Sequence, residues 1–140
     1  MAAGKDLTVK QYQLLAELRF QIRRFLAYRD QAARDHGLEP QQYQALLSIK
    51  GSPPGVEVTI GRLAQRMLVR HHSAVEMIDR LATHGLVARI RHQKDRRKML
   101  VRLTAKGERV LRELALFSRE ELKSSGPALA TVLKKLLSAD

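Results

Sequence analysis

Residues 59–104 read TIGRLAQRMLVRHHSAVEMIDRLATHGLVARIRHQKDRRKMLVRLT, and this stretch decides the fold. Apolar residues recur at helical spacing over 60–68, directly after Thr59, which is a suitable residue to cap a helix. A second helical stripe covers 74–82 and stops at Gly85, a residue that readily takes the left-handed conformation behind a helix. Two amphipathic helices joined by a tight turn predict a helix-turn-helix.

The remainder of the stretch alternates apolar and polar residues over 86–92 and again over 99–103, as two paired strands would. Residues 93–98 lie between them and hold four cationic side chains and one carboxylate, a composition that suits a phosphate-lined groove. Residues 59–102 contain 11 Lys and Arg against three Asp and Glu, so they hold +8 of the net +12. Together with a pI near 10.7, this concentration of charge indicates a polyanionic partner.

In order and in residue type, this stretch resembles the MarR family of bacterial winged-helix transcription regulators. The matching text is TIGRLAQRM, then SAVEMIDRLATHGLVARI, then KDRRKMLVRLTAKG, which covers 59–107 almost without gaps. The family's Asp-x-Arg at the wing tip is present as Asp95 and Arg97, and its Leu-Thr-x-x-Gly as residues 103–107. The family favours Ser or Thr and Pro near the start of its recognition helix. This chain has Arg-His-His at 70–72, which leaves the base preference open.

The resemblance implies a mostly α fold with a small β wing (α+β), a winged helix-turn-helix with N- and C-terminal dimerisation helices. It implies a sequence-specific transcriptional regulator of double-stranded DNA, a repressor relieved by a small-molecule effector. Such an effector is often phenolic and would lie between the dimerisation helices and the winged region. The sequence does not identify the residues that would bind it.

A recognition helix presents its N-terminal residues to base edges in the major groove. The candidates here are Arg70, His71, His72, Ser73 and Glu76. Ser73 and Glu76 have an alternative role, since Ser-x-x-Glu also fits a capping box in which neither side chain contacts DNA. His72 and Glu76 stand at i and i+4, but two side chains are too few for a closed metal site, so no metal is expected. His71 and His72 are expected to reach phosphates or bases, with idle surface residues as the alternative.

The wing candidates share a position in or beside the loop between the two strands: Arg89, Arg91, Lys94, Asp95, Arg96, Arg97 and Lys98. A wing-tip arginine, Arg96 or Arg97, is expected to enter the minor groove. Asp95 is expected to orient Arg97 and leave Arg96 freer to insert, although the two roles could be exchanged. The other cations need only contact phosphates, which fix register without reading sequence. The alternative is that these charged wing residues are only solvated and do not contact DNA.

Outside this stretch, residues 7–36 predict a long amphipathic helix and residues 40–50 a second one. Residues 56–58 are expected to form a short third strand beside the wing. Residues 124–127, Ser-Ser-Gly-Pro, are expected to break the C-terminal segment into two helices. The apolar face of the last helix, over 129–137, is too large to leave exposed on so small a chain.

The length of 140 residues and the hydrophobic content of 44% fit one domain over 1–140. With the resemblance, residues 1–36 and 108–140 are expected to be dimerisation helices around a winged helix-turn-helix region at 37–107. The alternative is that the last helix folds back onto the first within a monomer. A two-fold dimer would place two recognition helices about 34 Å apart and would read a pseudo-palindrome.

The composition excludes several classes of protein. Without cysteine there is no disulfide or thiolate metal site, and no cofactor is expected. No stretch approaches the roughly 20 apolar residues of a membrane span, and no signal peptide is recognisable, so a cytoplasmic protein without a membrane partner is the simplest expectation.

Two rival functions remain. The first is a basic RNA-binding protein without effector control, which is disfavoured because none of the six aromatic residues lies in 59–102 to stack on bases. The second is an enzyme that uses His71, His72 or Asp79. No nucleophile–base pair or glycine-rich phosphate loop supports it, so the chain is not expected to be an enzyme.

Overall fold

In the computed structural model, which describes residue 4 and residues 6–138, the chain forms five helices and one two-stranded antiparallel sheet. In chain order the elements are α1 (Val9–Asp35), α2 (Pro40–Lys50), α3 (Ile60–Met67), α4 (His71–Thr83), β1 (Val87–Arg91), β2 (Met99–Leu103) and α5 (Ala105–Ser138). The predicted mostly helical fold with a small β wing is confirmed. No helix in the described part of the chain is long and apolar enough to cross a membrane.

Local signals account for where the helices that carry the site begin and end. Thr59 caps α3, since its hydroxyl oxygen accepts the Arg62 N–H at 3.1 Å. Behind α4, Gly85 has φ +72° and its N–H donates to the carbonyl of Ala82, while the N–H of Leu86 donates to that of Leu81. This pair of bonds is the usual glycine termination of a helix. Both the predicted cap and the predicted stop are confirmed.

The hydrophobic core lies mainly inside the winged region. Its largest fully buried side chains come from four helices: Leu46, Leu63, Ile78, Leu81 and Leu114. Burying a side chain of this size stabilises the fold by roughly 1.5–3 kcal/mol. Since α3 and α4 share this core with α2 and the base of the wing, the recognition helix has a fixed orientation relative to the hairpin.

The first turn of α5 is joined tightly to the end of α4. Thr104 Oγ1 accepts the N–H of Gly107 at 3.1 Å and donates to the carbonyl of Gly85 at 2.5 Å. A Cβ atom on Gly107 would lie 2.0 Å from the carbonyl oxygen of Leu86, so only glycine allows this approach. The Leu-Thr-x-x-Gly pattern at 103–107 is therefore the joint between the end of α4 and α5.

The predicted third strand at 56–58 is wrong. The backbone contact with the wing consists of one bridge, Thr59 with Leu100, and one bond from the N–H of Val101 to the carbonyl of Val58 at 2.9 Å. Pro53 accepts the N–H of Val56 in a turn on one side, and Thr59 turns into α3 on the other. Too few extended residues remain between those turns to form a strand.

The predicted break at residues 124–127 is also wrong, because α5 continues without interruption from Ala105 to Ser138 with Pro127 inside it. A proline removes one backbone N–H from the helix. Ser125 Oγ donates to the carbonyl of Glu121 at 3.0 Å, and Thr131 Oγ1 donates to that of Pro127 at 2.9 Å, so neighbouring side chains bond to the backbone on both sides. Buried Leu114 and Val132 anchor the two halves.

Helices α1 and α5 pack against each other within the chain, as the monomer alternative expects. That packing leaves large apolar side chains of both helices exposed: Leu15, Phe20, Ile22, Leu26, Leu116, Phe117, Leu122, Leu133 and Leu137. An apolar surface of this extent is unusual for a monomer. Folding back within one chain therefore does not cover the apolar faces of these helices.

Candidate DNA-binding surface

The turn between α3 and α4 is made by a strained residue. Leu68 takes the left-handed conformation (φ 56°, ψ 40°), the only non-glycine residue with positive φ within residues 4 and 6–138. Its side chain is 92% exposed, although the helical stripe over 60–68 would bury it. The N–H of Val69 reaches back to the carbonyl of Ala64 at 3.0 Å. The turn therefore requires a strained backbone conformation at Leu68 and leaves its side chain exposed. It also fixes the direction of α4 relative to α3.

Helix α4 begins earlier than a cap at Ser73 would allow. Arg70 is the N-cap residue and makes no side-chain capping bond, and its carbonyl accepts the first helical N–H, that of Ala74, at 3.1 Å. Ser73 is therefore the third residue of the helix, and the capping-box alternative for Ser73 and Glu76 is wrong. His71, His72 and Glu76 are exposed and Ser73 is half-buried. The first turn of α4 thus presents these polar side chains and a positively polarised helix end.

The wing is a regular hairpin with a closed tip. Its register runs from Val87 opposite Leu103 to Arg91 opposite Met99. Beyond the strands, the N–H of His92 donates to the carbonyl of Lys98 at 3.0 Å, and the N–H of Lys98 donates to the carbonyl of Asp95 at 3.0 Å. The tip, residues 92–98, is therefore a folded turn.

Asp95 and Arg97 make the contact expected of them. Asp95 Oδ1 accepts the backbone N–H of Arg97 at 3.1 Å and its Nε–H at 3.2 Å. The Arg97 side chain next to this carboxylate holds the pKa of Asp95 below its ordinary value. The Arg97 side chain remains 92% exposed. Asp95 thus fixes the direction of Arg97 without covering it.

Arg89 and Arg91, which are expected to contact phosphates, also interact with other residues of this chain. Arg89 forms an ion pair with Asp79 of α4, and both side chains are about half exposed. Arg91 Nη1 donates to the carbonyl of Arg96 at 3.0 Å. The first contact ties the wing to the recognition helix, and the second braces the tip. Arg89 and Arg91 therefore shape the surface as well as charging it.

The side chains of Arg70, Lys94, Arg96 and Arg102 form no hydrogen bond or ion pair with any residue that the structure describes. All four are exposed. Lys98 is paired with Glu57 across 3.5 Å. Because the four unpaired cations lie at the start of α4 and along the wing, both parts of the surface have charge available for an anionic partner.

Sequence reasoning missed Glu57 and His92. The Nε2 atom of His92 lies 2.7 Å from Glu57 Oε1, and its Nδ1 accepts the N–H groups of Lys94 at 3.2 Å and Asp95 at 2.9 Å. The hydrogen bond from His92 is the main reason that the pKa of Glu57 lies below its ordinary value. Only the pairing of the 57–59 segment with the wing could have revealed this contact. No group of three His, Asp or Glu side chains suitable for a metal occurs in the described part of the chain.

A helix-turn-helix with a polar helix start, joined to a basic hairpin, defines the winged helix-turn-helix fold. A family model described as MarR family matches residues 36–98. The chain is 26% identical over 121 residues to the HTH-type transcriptional regulator YsmB of Bacillus subtilis, covering 84% of this chain and 81% of that protein.

Two solved structures show the same fold. The MarR family regulator AbsC of Streptomyces coelicolor has a TM-score of 0.78 and 21% identity, covering 96% of this chain and 94% of its own. The regulator MOSR of M. tuberculosis, solved in complex with DNA, has a TM-score of 0.59 and 25% identity, covering 76% and 78%. Over residues 36–98 the chain is similar to the MarR family of transcriptional regulators. Regulators of this family are generally DNA-binding proteins without enzymatic activity.

Proposed function

We propose that this chain represses transcription as a homodimer that occupies a pseudo-palindromic operator in double-stranded DNA and is released by a small aromatic effector, without enzymatic activity of its own. The main support for the proposal is that two candidate DNA-binding surfaces belong to the same rigid part of the fold. The uncapped start of α4 and the basic wing tip are linked by the Arg89–Asp79 ion pair.

In this proposal the start of α4 reads the major groove. Arg70 contacts guanine or phosphate, and His71 and His72 contact bases or phosphates. Ser73 contacts a base directly or through water, since its side chain is not used as a cap. Glu76 is exposed and accepts from a cytosine amino group, a base donor that pairs with a carboxylate in this groove.

The wing tip enters the minor groove through Arg96. Asp95 already holds the Arg97 side chain, whereas the Arg96 guanidinium has no partner among the described residues and its backbone is braced by Arg91. A narrow A·T tract concentrates negative potential and favours an inserted guanidinium. Lys94, Lys98 and the two strand arginines, Arg89 and Arg91, contact phosphates on either side.

The dimer is formed by residues 1–36 and 108–140, with residues 37–107 as the winged region. The exposed apolar side chains of α1 and α5 support this assignment. Deleting residues 126–140 removes the C-terminal third of α5 and should convert the dimer to a monomer at micromolar concentration in sedimentation velocity. A full-length monomer, or a truncated chain that stays dimeric, would contradict the proposed interface.

The effector site is a cleft of about 800 Å³ between α1, α2 and α3. Its wall combines apolar Leu26 and Leu47 with the ring of Tyr43, over which the Arg29 guanidinium lies at 5.0 Å. The Nε atoms of Arg29 and Arg62 are buried without a hydrogen-bond partner. Buried donors without an acceptor are costly, so an aromatic carboxylate that accepts from both arginines fits this cleft.

Titration calorimetry with a panel of benzoates and hydroxybenzoates tests the effector site. Arg29→Met should weaken the tightest of them at least about tenfold, because a charge-assisted hydrogen bond contributes about 1.5–3 kcal/mol. Arg24→Met, on an exposed position of the same helix, is the matched control. Equal affinity of the two variants, or no binding by wild type, would contradict the assignment.

Selection of bound sequences from random duplexes tests the operator proposal. We expect two inverted half-sites with centres about 10–10.5 bp apart and an affinity that falls steeply with salt. Folded RNA of equal length should compete far less well than the selected duplex. Recovery of unrelated sequences, or equal competition by RNA, would favour a general basic nucleic-acid binder instead.

A further inference from the structure

The wing tip is folded around one imidazole ring. His92 stands at the first position after β1, and its side chain is only 18% exposed, although most of the tip around it is exposed. Its Nδ1 accepts two backbone N–H groups, from Asp95 at 2.9 Å and Lys94 at 3.2 Å. Its Nε2 lies 2.7 Å from Glu57 Oε1. Both ring nitrogens are therefore used, each by a different part of the chain.

These contacts define one protonation state of the ring. An imidazole nitrogen that accepts a hydrogen bond has no proton, so Nδ1 is bare in this arrangement. A carboxylate only accepts, so Nε2 carries the hydrogen and donates it to Glu57. His92 in this geometry is a neutral imidazole with its proton on Nε2.

We propose that His92 is a positioning residue that holds the wing tip in its DNA-binding shape, an inference that rests on the proposed function of the wing. His92 fixes the backbone of Asp95, whose carboxylate in turn fixes Arg97. The other ring nitrogen ties the tip to Glu57, two residues before the Thr59 cap of α3. The ring thereby couples the wing tip to the helix-turn-helix without contacting DNA itself.

The geometry makes the tip sensitive to acid. A proton on Nδ1 would turn the shared acceptor into a donor that faces two N–H donors, so both bonds would be lost. Charged side chains of both signs lie around the ring, namely Glu57 and Asp95 with negative charge and Arg91, Lys94 and Lys98 with positive charge. Loosening the tip weakens DNA binding as pH falls, which is opposite in sign to the effect of protonating His71 and His72 beside DNA.

Two substitutions separate the two ring nitrogens. In His92→Asn the amide oxygen stands near the place of Nδ1 and keeps an acceptor for the two N–H groups, although the Glu57 contact is lost. In His92→Gln the amide reaches Glu57 instead, and the acceptor at the turn is lost. His84→Asn is the control, because that exposed ring bonds to the Arg80 carbonyl at the end of α4, away from the tip.

Nuclear magnetic resonance of the full-length protein without DNA tests the positioning directly. We expect the ¹⁵N shifts of His92 to report a bare Nδ1 at neutral pH, and the amides of Lys94 and Asp95 to titrate together with the ring. In His92→Asn both amides should lose that titration. A proton on Nδ1 at neutral pH, or amides that ignore the ring, would overturn the proposal.

Operator binding supplies the functional half of the test. His92→Gln should bind about tenfold more weakly than wild type, as expected for the loss of hydrogen bonds that order the tip, and His92→Asn within about threefold. Between mildly acidic and neutral pH, His92→Asn should gain more affinity on acidification than wild type or His84→Asn does. Equal affinity of the Gln variant and wild type would overturn the positioning role. If the amides of Lys94 and Asp95 titrate with the ring but the protein selects no operator, the proposed function would be overturned instead.

Discussion

Replacing Gly107 by alanine should destabilise the protein at the joint between the winged region and α5. The added Cβ atom would lie 2.0 Å from the carbonyl oxygen of Leu86 and 3.0 Å from its carbonyl carbon. That oxygen also accepts the N–H of Thr104 at 3.1 Å. Since the obstacle is backbone, no side-chain rotation relieves the clash. The start of α5 would have to move away from Leu86 by at least about 1 Å.

The expected cost is the balance of three effects. Forcing a methyl group into a packed contact costs about 1–3 kcal/mol. Moving α5 also stretches the bonds of Thr104 to Leu86 and to Gly85, each contributing about 1 kcal/mol. Alanine is a better helix residue than glycine by about 1 kcal/mol, which offsets part of the loss. We therefore expect Gly107→Ala to lower the free energy of unfolding by about 2–3 kcal/mol.

Urea unfolding followed by circular dichroism at one fixed protein concentration measures this loss, since a dimer's stability depends on concentration. Gly126→Ala is the matched control on the same helix. There the nearest side-chain atom to an added Cβ is Leu122 Cδ2 at an ordinary 3.9 Å, and helix propensity alone predicts a gain of about 0.5–1 kcal/mol. If Gly107→Ala were as stable as wild type, the close approach of α5 to Leu86 would not exist in solution.

Four further outcomes follow from the site. Arg96→Ala should weaken operator binding by about 1–3 kcal/mol, more on A·T-rich flanks than on G·C-rich ones, and a loss indifferent to the flanks would argue against minor-groove insertion. In a double-mutant cycle measured on the operator, Asp95→Ala should cost little once Arg97 is already alanine, whereas additive losses would disprove the anchor. The pKa of Asp95 is lowered by Arg97, so its contribution to stability is complete above its ordinary value near 3.8 and is lost as pH falls through the lower pKa of the folded state. Carboxyl ¹³C titration should show that pKa rise in Arg97→Ala, and an unchanged value would refute the assigned cause. Ser73→Ala should change the base preferred in each half-site without destabilising α4, and an unchanged selected sequence would remove Ser73 from base reading.

The parts of the fold that could be predicted from sequence are those encoded within one or two helical turns. Thr59 caps α3 and Gly85 ends α4 because their effects act on neighbouring backbone groups. The alternation over 86–92 and 99–103 likewise reports a local hairpin. The candidate DNA-binding residues follow from these elements, since a helix start and a hairpin tip are defined by chain position. Their contacts with DNA remain proposals.

The errors arose where a local signal competes with contacts between elements. Residues 124–127 have the composition of a break, but a helix anchored by buried Leu114 and Val132 tolerates the loss of one N–H. Residues 56–58 have strand composition but lie between two turns. The contact of His92 with Glu57 joins residues 35 positions apart, and no period in the sequence reports it.

The continuity of α5 has a mechanical consequence. A helix of 34 residues is roughly 50 Å long, and this one starts directly after β2, at the foot of the hairpin. Its first turn is held against Leu86 at Gly107, and the remainder of the helix packs along α1. A tilt of about 5° about the contact at Gly107 displaces the far end by roughly 4 Å. Conversely, a displacement of that size at the far end of α5 would reach the hairpin as a rotation of a few degrees.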